Sequence, residues 1–273
     1  MVRALWSAAT GMIAQQNNVD TIANNLANVN TTGYKTETNE FKSLLYQTIQ
    51  TKTTTANGDQ KPVGAQVGLG VRNAAITSQF TQGSLLASES PTALAVNGKG
   101  FFAVQGEDGK VYYTRNGNFH WAIGNGNIMT LTDSEGHAVK STTGANIVLP
   151  ANYTANKVEI DTEGRIMYPN AQNNLVQVGA LQVGLYQFQN PAGLEKTGDS
   201  MFAVTPASGA ALNEATNAAV TKSEIRQGYL EGSNVQVADE MVNLIVAQRA
   251  YEMNSKAIQA ADEMMSQANQ LRR

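Results

Sequence analysis

Apolar residues recur at every seventh position of the last forty or so residues, and a second set stands three positions after each of them. The first set comprises Val237, Leu244, Tyr251, Ile258 and Met265, and the second comprises Glu240, Ala247, Asn254, Ala261 and Ala268. This seam is narrow, and neither Pro nor Gly interrupts it. A 3.5-residue period of this kind is typical of one helix lying along another. The pattern therefore predicts a long C-terminal helix with a helical partner.

The same period occurs at the N-terminal end of the chain and identifies the partner. Its two sets are Leu5, Met12, Val19 and Leu26, and Ala8, Gln15, Ile22 and Val29. We expect the two ends to form one helical unit, with everything between them inserted into it. A simple hairpin of the two ends within one chain and an ordinary dimeric coiled coil are the alternatives. Apolar residues outside the seam favour additional contact faces, and these are Met241, Ile245, Met253 and Met264.

The polar face of the N-terminal helix is rich in amides rather than charges. Asp20 is the one charged residue between positions 4 and 34. Asn is a poor helix former, because its side chain competes for backbone groups, so this helix needs neighbours to be stable. The amides form either a solvated face or hydrogen bonds between packed subunits, and the lack of Lys and Glu favours the second. Gly33 is expected to end the helix.

Short β-type runs separated by Asn-Gly and Asp-Gly turns fill the middle of the chain. These dipeptides are strong hairpin signals, so an antiparallel β-domain is predicted over 93–205. The segments 35–92 and 206–229 are assigned as linker or extended connecting structure, with a short helix or arm over 35–50 and a linker or β-ribbon over 51–70. The helical coiled-coil core is assigned to 1–34 and 230–273, where Ser233 or Asn234 is expected to cap the C-terminal helix. The predicted fold class is therefore α+β.

Composition excludes several classes of protein. The 273 residues carry a formal net charge of −3 and only 15% are charged, so no basic surface for nucleic acid is expected. The chain has no Cys, which removes disulfides and thiolate metal sites. No apolar run is long enough for a transmembrane helix, so no membrane insertion is expected. The heptads continue through the mildly apolar start of the chain, which favours a retained helix over a cleaved signal peptide.

No residue pattern indicates a catalytic, cofactor or metal site. His120 and His137 lack a second His or a Cys at ligand spacing, and both are expected to be exposed β residues. The segments 133–136 and 161–164 lack the alternating oxygen ligands of a calcium loop and are interpreted as β-turns. The Gly-Lys-Gly at 98–100 lacks the third Gly and the following helix of a dinucleotide loop. We therefore expect neither enzyme activity nor a cofactor.

Several segments resemble motifs of the bacterial flagellar rod and hook proteins. The segments are 23–35, ANNLANVNTTGYK; 94–104, LAVNGKGFFAV; 113–119, YTRNGNF; 230–237, LEGSNVQV; and 247–258, AQRAYEMNSKAI. They stand in the order of the family and together span nearly the whole chain. Within them, the family positions are matched by Asn24, Asn25, Leu26, Asn28, Thr32, Gly33, Tyr34, Gln248, Arg249 and Tyr251.

The resemblance implies a non-enzymatic subunit that assembles with copies of itself into a helical tube, whose inner wall is a coiled coil of the helical ends. It also implies export by the flagellar type III apparatus, with proximal rod proteins, the hook protein and the ring bushing proteins as neighbours in the cell envelope. Axial packing is expected of Leu5, Met12, Val19, Ile22, Leu26, Val29, Val237, Leu244, Tyr251, Ile258 and Met265.

Within the family, the length of the chain and the segment 47–69 resemble the subunits of the distal rod, a drive shaft that transmits torque to the hook. Another axial subunit, of the hook or the proximal rod, is an alternative. A secreted β-domain enzyme or binding module oligomerised by its helices is another. Phe41 and Leu45 resemble the export-gate signal of rod and hook subunits. The Thr-rich segment 51–61 departs from the family pattern and leaves the stiffness of the rod open.

Overall fold

The computed structural model of the protein describes residues 2–50, 64–124, 128–150, 152–170, 172, 174–217 and 219–271. The chain divides into two compact units. A helical unit comprises Met1–Ala27, Glu37–Ser78 and Gln236–Arg273, and a β-unit comprises Asn28–Thr36 and Gln79–Val235. The Thr-rich segment 51–61 and the predicted turn at 125–126 lie outside the described residues. The three-part division made from the sequence stays a prediction.

Two long helices dominate the helical unit, α1 (Val2–Ala27) and α2 (Val237–Gln270). They pack along each other in antiparallel directions. Asn25 near the end of α1 hydrogen-bonds Glu240 near the start of α2, whereas Gly11 lies directly against Asn254. The predicted pairing of terminal helices around a central antiparallel β-region, an α+β fold, is confirmed.

The rest of the helical unit consists of two antiparallel ribbons. Their strands are β1 (Glu37–Ser43), β2 (Tyr46–Gln50), β3 (Ala65–Gly68) and β4 (Val71–Ser78). Strand β1 pairs with β4, and β2 pairs with β3. The prediction of a short helix over 35–50 is therefore wrong, whereas the β-ribbon alternative for 51–70 agrees with β3.

The side chain of Asn25 explains why the chain is extended after α1. Its Nδ2 donates to the Glu37 carbonyl and its Oδ1 accepts from the Glu37 N–H, both at 2.9 Å. These bonds imitate one step of a β-ladder and hold the start of β1 extended. Farther along β1, the Asn39 amide donates to the Asn17 carbonyl at 3.0 Å and to the Thr21 hydroxyl at 2.8 Å. The side-chain amide of Asn25, one of those that the sequence assigned to contacts between subunits, thus holds β1 on α1.

The β-unit is built from short antiparallel strands. They are β5 (Leu85–Ala87), β6 (Leu94–Asn97), β7 (Phe101–Gln105), β8 (Val111–Thr114), β9 (His120–Ile123), β10 (Met129–Thr132), β11 (Ala138–Val139), β12 (Val148–Leu149), β13 (Glu159–Ile160), β14 (Arg165–Pro169), β15 (Leu175–Gln182), β16 (Leu185–Gln187), β17 (Glu195–Gly198), β18 (Met201–Ala203), β19 (Leu212–Asn213), β20 (Glu224–Gln227) and β21 (Tyr229–Glu231).

The largest sheet of the β-unit follows the order β12-β10-β11-β7-β8-β18-β17, and β9, β16 and β19 join it at the side. Strands β13, β14 and β15 form a second sheet, and the pairs β6–β20 and β5–β21 complete the unit. The last two pairs join the strands at the entrance of the β-unit to those that lead out of it.

Neighbouring residues of β7 belong to two different apolar clusters. Phe102 packs with Leu94, Phe119 and other buried residues of the main cluster, whereas Phe101 belongs to an aromatic cluster with Phe188 and Phe202. Successive side chains of a strand point to opposite faces of the sheet, so both faces of β7 are buried. The β-unit therefore has apolar packing of its own on each side of its central strand.

Several local expectations differ from the structure. The N-cap position of α2 is Gln236 rather than Ser233 or Asn234, because the Asn234 side chain instead binds the backbone of other segments. His120 lies exposed in β9 as expected, but His137 is buried in a turn. Helix α1 ends at Ala27, six residues before Gly33, which was expected to end it, although Gly33 does have a left-handed φ of +71°.

Candidate assembly surfaces

The predicted seam residues of both helices lie mostly where the helices meet. Leu5, Met12, Val19, Leu26, Leu244, Ile258 and Met265 are half-buried, and Ile22 is buried. The small residues of the second seam position are buried more deeply, among them Ala8, Ala247 and Ala261. Val237 and Tyr251 remain exposed, and Val29 lies after α1 in the β-unit. The seam thus packs α1 on α2 inside one chain, and its part in packing between copies stays a prediction.

The first three turns of α2 carry apolar side chains on faces that α1 leaves uncovered. Met241, Val242, Ile245 and Val246 are each more than half exposed, with 62% for Val246. They surround the seam residues Glu240, Leu244 and Ala247, so this part of α2 is apolar almost all round. A helix of that kind is normally buried on every side. We call these four exposed residues the α2 ridge.

Helix α1 adds two exposed large side chains of its own. Trp6 is 65% exposed and Ile13 is 61% exposed, one heptad apart on the same face. Asp20, which is also exposed, stands one further heptad along the same face of α1. The helical unit therefore presents apolar surface from both of its helices.

A buried carboxylate interrupts the seam of α2 near its start. Glu240 occupies the second seam position and is only 8% exposed. Burial raises the pKa of its carboxyl above the ordinary value, and the hydrogen bond from Asn25 opposes this rise only in part. A single polar residue in an otherwise apolar seam fixes the register of two helices at some cost in stability. Glu240 and Asn25 therefore set which turn of α1 meets the start of α2.

The raised pKa of Glu240 makes the helix pair sensitive to pH. A carboxyl whose pKa is raised by folding contributes stability below its unfolded pKa and loses it as pH rises through the folded value. We therefore expect Glu240→Gln, which stays neutral, to raise the thermal midpoint of α-helix melting by a few degrees at pH 7. The gain should shrink as the pH approaches 4. Circular dichroism melts measure this difference, with exposed Glu263→Gln as the control; a gain that is the same at both pH values would contradict it.

The residues that match the family motifs have unequal surroundings. Asn25 and Gly33 are buried, and Leu26, Asn28, Thr32 and Tyr34 are half-buried. In the β-unit, the Thr32 hydroxyl donates to the Asn116 side-chain oxygen at 2.9 Å. Four family positions are exposed: Asn24 on α1, and Gln248, Arg249 and Tyr251 on α2. Exposed family positions therefore lie on both helices, and their role stays a prediction.

Sequence reasoning missed a set of buried charges in the β-unit. Lys35, Arg115 and Glu231 are almost completely buried, and both cations pair with the carboxylate of Glu231. Burial lowers the pKa of Lys35 and of Arg115, and the Glu231 carboxylate opposes this in both cases. A signal was present in the sequence: each residue is a lone charge inside one of the segments that resemble the family.

The two residues that resemble an export signal lie in and after β1. Phe41 is 39% exposed and Leu45, between β1 and β2, is 83% exposed. Both side chains are therefore accessible on the described surface of the helical unit. Their role in export stays a prediction.

Among the described residues, no three His, Asp or Glu side chains are grouped closely enough to hold a metal ion. Neither described helix combines the length and the hydropathy needed to span a membrane. What stands out chemically is the uncovered apolar surface of the paired helices and the buried charges of the β-unit.

Family descriptions match three parts of the chain: "Flagella basal body rod protein" over residues 5–35, "Flagellar hook protein FlgE/F/G D1 domain" over 95–168, and "Flagellar basal body rod FlgEFG protein C-terminal" over 226–271.

Curated relatives are similar along their whole length. The flagellar basal-body rod protein FlgG of Borreliella burgdorferi is 43% identical over 100% of both chains. The protein of the same name from Agrobacterium fabrum is 42% identical over 97% of both, and that of Bacillus subtilis is 32% identical over 100% of both. The chain therefore belongs to the FlgG family of flagellar basal-body rod proteins, the structural, non-enzymatic subunits of the distal rod, which assemble in the flagellar basal body.

Proposed function

We propose that this protein assembles with copies of itself into a helical tube and that the tube acts as a drive shaft that transmits torque to the hook. The observation that supports the proposal is the α2 ridge, where four apolar side chains are more than half exposed in one chain. Contiguous apolar surface on a soluble chain usually marks an interaction site. Burial of each such side chain is worth about 1.5–3 kcal/mol, so repeated contacts along a tube would stabilise it strongly.

A second copy of this chain is the occupant that fits the ridge best. The part of α2 that carries the ridge has few charges, because Asp239 is its one exposed charged residue and Glu240 is buried. The farther turns of α2 are instead charged, with Arg249 and Glu252 forming an exposed ion pair at 3.7 Å. Apolar faces on the helices of identical chains can pack on each other as the heptads do within one chain. Trp6 and Ile13 of α1 supply a facing apolar surface.

The axial packing of the tube is assigned to the seam residues and to the ridge. In this proposal the helical ends form its coiled-coil inner wall, and the β-domain gives lateral contacts that resist twist. The domain division that belongs to this proposal is 1–34 with 230–273 for the core, 35–92 with 206–229 for the connecting part, and 93–205 for the β-domain. Proximal rod proteins, the hook protein and the ring bushing proteins are its proposed neighbours.

Export through the flagellar type III apparatus is proposed for the unassembled chain. The support is the pair Phe41 and Leu45, which has the spacing of the family's export-gate signal and is accessible. The amide-rich α1 also favours this route, since a helix with so many Asn residues is weak alone and unfolds easily for transport.

The substitution Ile245→Asp tests the assembly proposal. Ile245 is 56% exposed in one chain, so the isolated chain should fold as before, with unchanged helix and strand signals by circular dichroism. If the ridge is buried between copies, a carboxylate there must be desolvated and should block assembly, which swimming in soft agar and electron microscopy of basal bodies would report as loss of motility and of the distal rod.

The matched control is Gln259→Asp, which places the same charge on the same face of α2 two heptads later, at an exposed polar position. This variant should swim normally. Normal motility of Ile245→Asp would show that the ridge remains in water in the cell, and the proposed tube packing would then be wrong.

A further inference from the structure

Four chain passages join the two units, after Ala27, Thr36, Ser78 and Val235. Each passage is a place where the backbone enters or leaves the β-unit. The β-unit residues next to these passages come from distant parts of the sequence, and they are collected around the side chains of Glu231 and Asn234.

The carboxylate of Glu231 is the centre of this arrangement and is completely buried. Its Oε1 accepts from the Lys35 Nζ at 2.6 Å and from the Gly83 N–H at 3.0 Å. Its Oε2 accepts from the Arg115 Nη1 at 3.0 Å. The Glu231 carbonyl accepts from the Gly33 N–H at 2.8 Å. One residue thus holds the segment after α1, the segment after β4 and the strand β8 region together.

The side chain of Asn234 extends the arrangement to the remaining passages. Its Oδ1 accepts from the Thr36 N–H at 2.7 Å and from the Thr36 hydroxyl at 2.8 Å. Its Nδ2 donates to the Gln79 carbonyl at 2.9 Å and to the Thr81 hydroxyl at 2.8 Å. The Lys35 Nζ also donates to the Thr81 carbonyl at 2.8 Å. Residues next to three of the four passages (Thr36, Gln79 and Asn234), and Gly33 in the short segment between the first two, therefore belong to one connected network.

Stability alone does not explain why buried charges form this network. Lys35 and Arg115 share the Glu231 carboxylate, and the buried Glu214 carboxylate acts on Arg115 from farther away. Apolar residues of similar size often stabilise a fold as well as buried ion pairs do. Charged hydrogen bonds differ from apolar contacts in their narrow geometry, with short distances and defined directions. Apolar surfaces can slide over each other, whereas this network has one arrangement.

We propose that the network of Lys35, Arg115, Glu231 and Asn234 is a clamp that fixes the entering and leaving segments of the β-unit in a single geometry. This inference rests on the proposed function for its purpose, since a subunit that transmits torque must not yield where its backbone passes from one unit to the other. The clamp itself is a property of the single chain and can be tested without a rod.

Amide hydrogen exchange of the purified full-length chain tests the clamp. The informative peptides are 28–36, 79–87 and 228–235, and strand β7 serves as the internal reference. Glu231→Gln removes the carboxylate that both buried cations contact, so exchange in these peptides should become at least about tenfold faster. Lys35→Met leaves a neutral pair of Arg115 with Glu231 and should have the smaller effect. Exposed Glu195→Gln is the matched control and should leave exchange unchanged.

Asn234→Ala covers the case in which Glu231→Gln prevents folding. It removes amide hydrogen bonds but no charge, so β7 should keep its protection while 28–36 and 79–87 exchange faster. Unchanged exchange of those two peptides in Asn234→Ala would overturn the clamp, and so would equal loss of protection in β7. A larger effect of Lys35→Met than of Glu231→Gln would overturn the charge argument. Motility of the variants in viscous medium then bears on the proposed function alone.

Discussion

Replacing Ile258 with Asp is expected to separate α2 from α1 and to abolish motility. Ile258 is half-buried in the seam, in the stretch of α2 between Asn254 and Ala261 where the helices approach closely. The substitution removes apolar burial worth about 1.5–3 kcal/mol, and it also places a carboxylate against the apolar surface of α1. Helix content by circular dichroism should fall, and swimming in soft agar should be lost.

The β-unit should survive this substitution, because its strands pack in apolar clusters made of its own residues. Its strand signal and the near-ultraviolet signal of Trp121 should therefore remain. Leu26→Asp is expected to act in the same way from the other helix. Ala260→Asp adds the same charge to α2 at an exposed position outside the seam and should swim normally. Normal swimming by Ile258→Asp would mean that the helix pair is not needed for assembly.

The terminal helices were predictable because their information is local and repeated. Each turn of α2 carries a seam residue, so one polar residue does not hide the period. The predicted partner at the other end of the chain has the same period. The two exceptions in the seam, Glu240 and Asn254, are the positions where polar side chains meet Asn25 and Gly11 of α1. What the pattern does not contain is the antiparallel register, which those polar contacts fix.

The segment after α1 was harder to assign, because its apolar residues imitate a helix. Phe41, Leu44 and Leu45 are spaced by three and four residues, which matches a helical face. The structure places them in and after β1, where pairing with β4 and the Asn25 bonds to Glu37 decide the conformation. Partners some thirty residues away outweigh local propensity, which is a weak determinant of strands.

The buried charges of the β-unit are the part of the candidate site that no local rule reveals. Glu231 lies 116 positions after Arg115 and 196 after Lys35, and neither spacing belongs to a periodic element. The strands β20 and β21 near Glu231 escaped prediction for the same reason, since they pair with β6 and β5 at the other end of the β-unit. Such pairings follow from the closure of the fold and not from any short segment.

The substitution Gly117→Ala is expected to destabilise the β-unit strongly, because the added methyl group clashes with the backbone of strand β6. The added Cβ would lie 1.6 Å from the Leu94 carbonyl oxygen and 2.7 Å from its carbon, both backbone atoms. The same two residues are already joined, because the Leu94 N–H donates to the Gly117 carbonyl at 3.0 Å. The clash must therefore break this pairing beside the fully buried Leu94, at a cost of at least about 3 kcal/mol. Urea unfolding followed by circular dichroism measures this loss.

Two other glycines separate the clash from the usual costs of such a substitution. At Gly109 a Cβ would meet no atom within 4 Å, but φ is +78°, so Gly109→Ala should cost only the about 1–2 kcal/mol of a left-handed residue. At Gly124 the nearest atom lies 3.7 Å from the added Cβ, so Gly124→Ala should leave the urea midpoint unchanged. The expected order of destabilisation is Gly117, then Gly109, then Gly124. Equal urea midpoints for Gly117→Ala and Gly109→Ala would contradict the prediction. They would mean that the backbone of Leu94 does not approach Gly117 as closely as the structure shows.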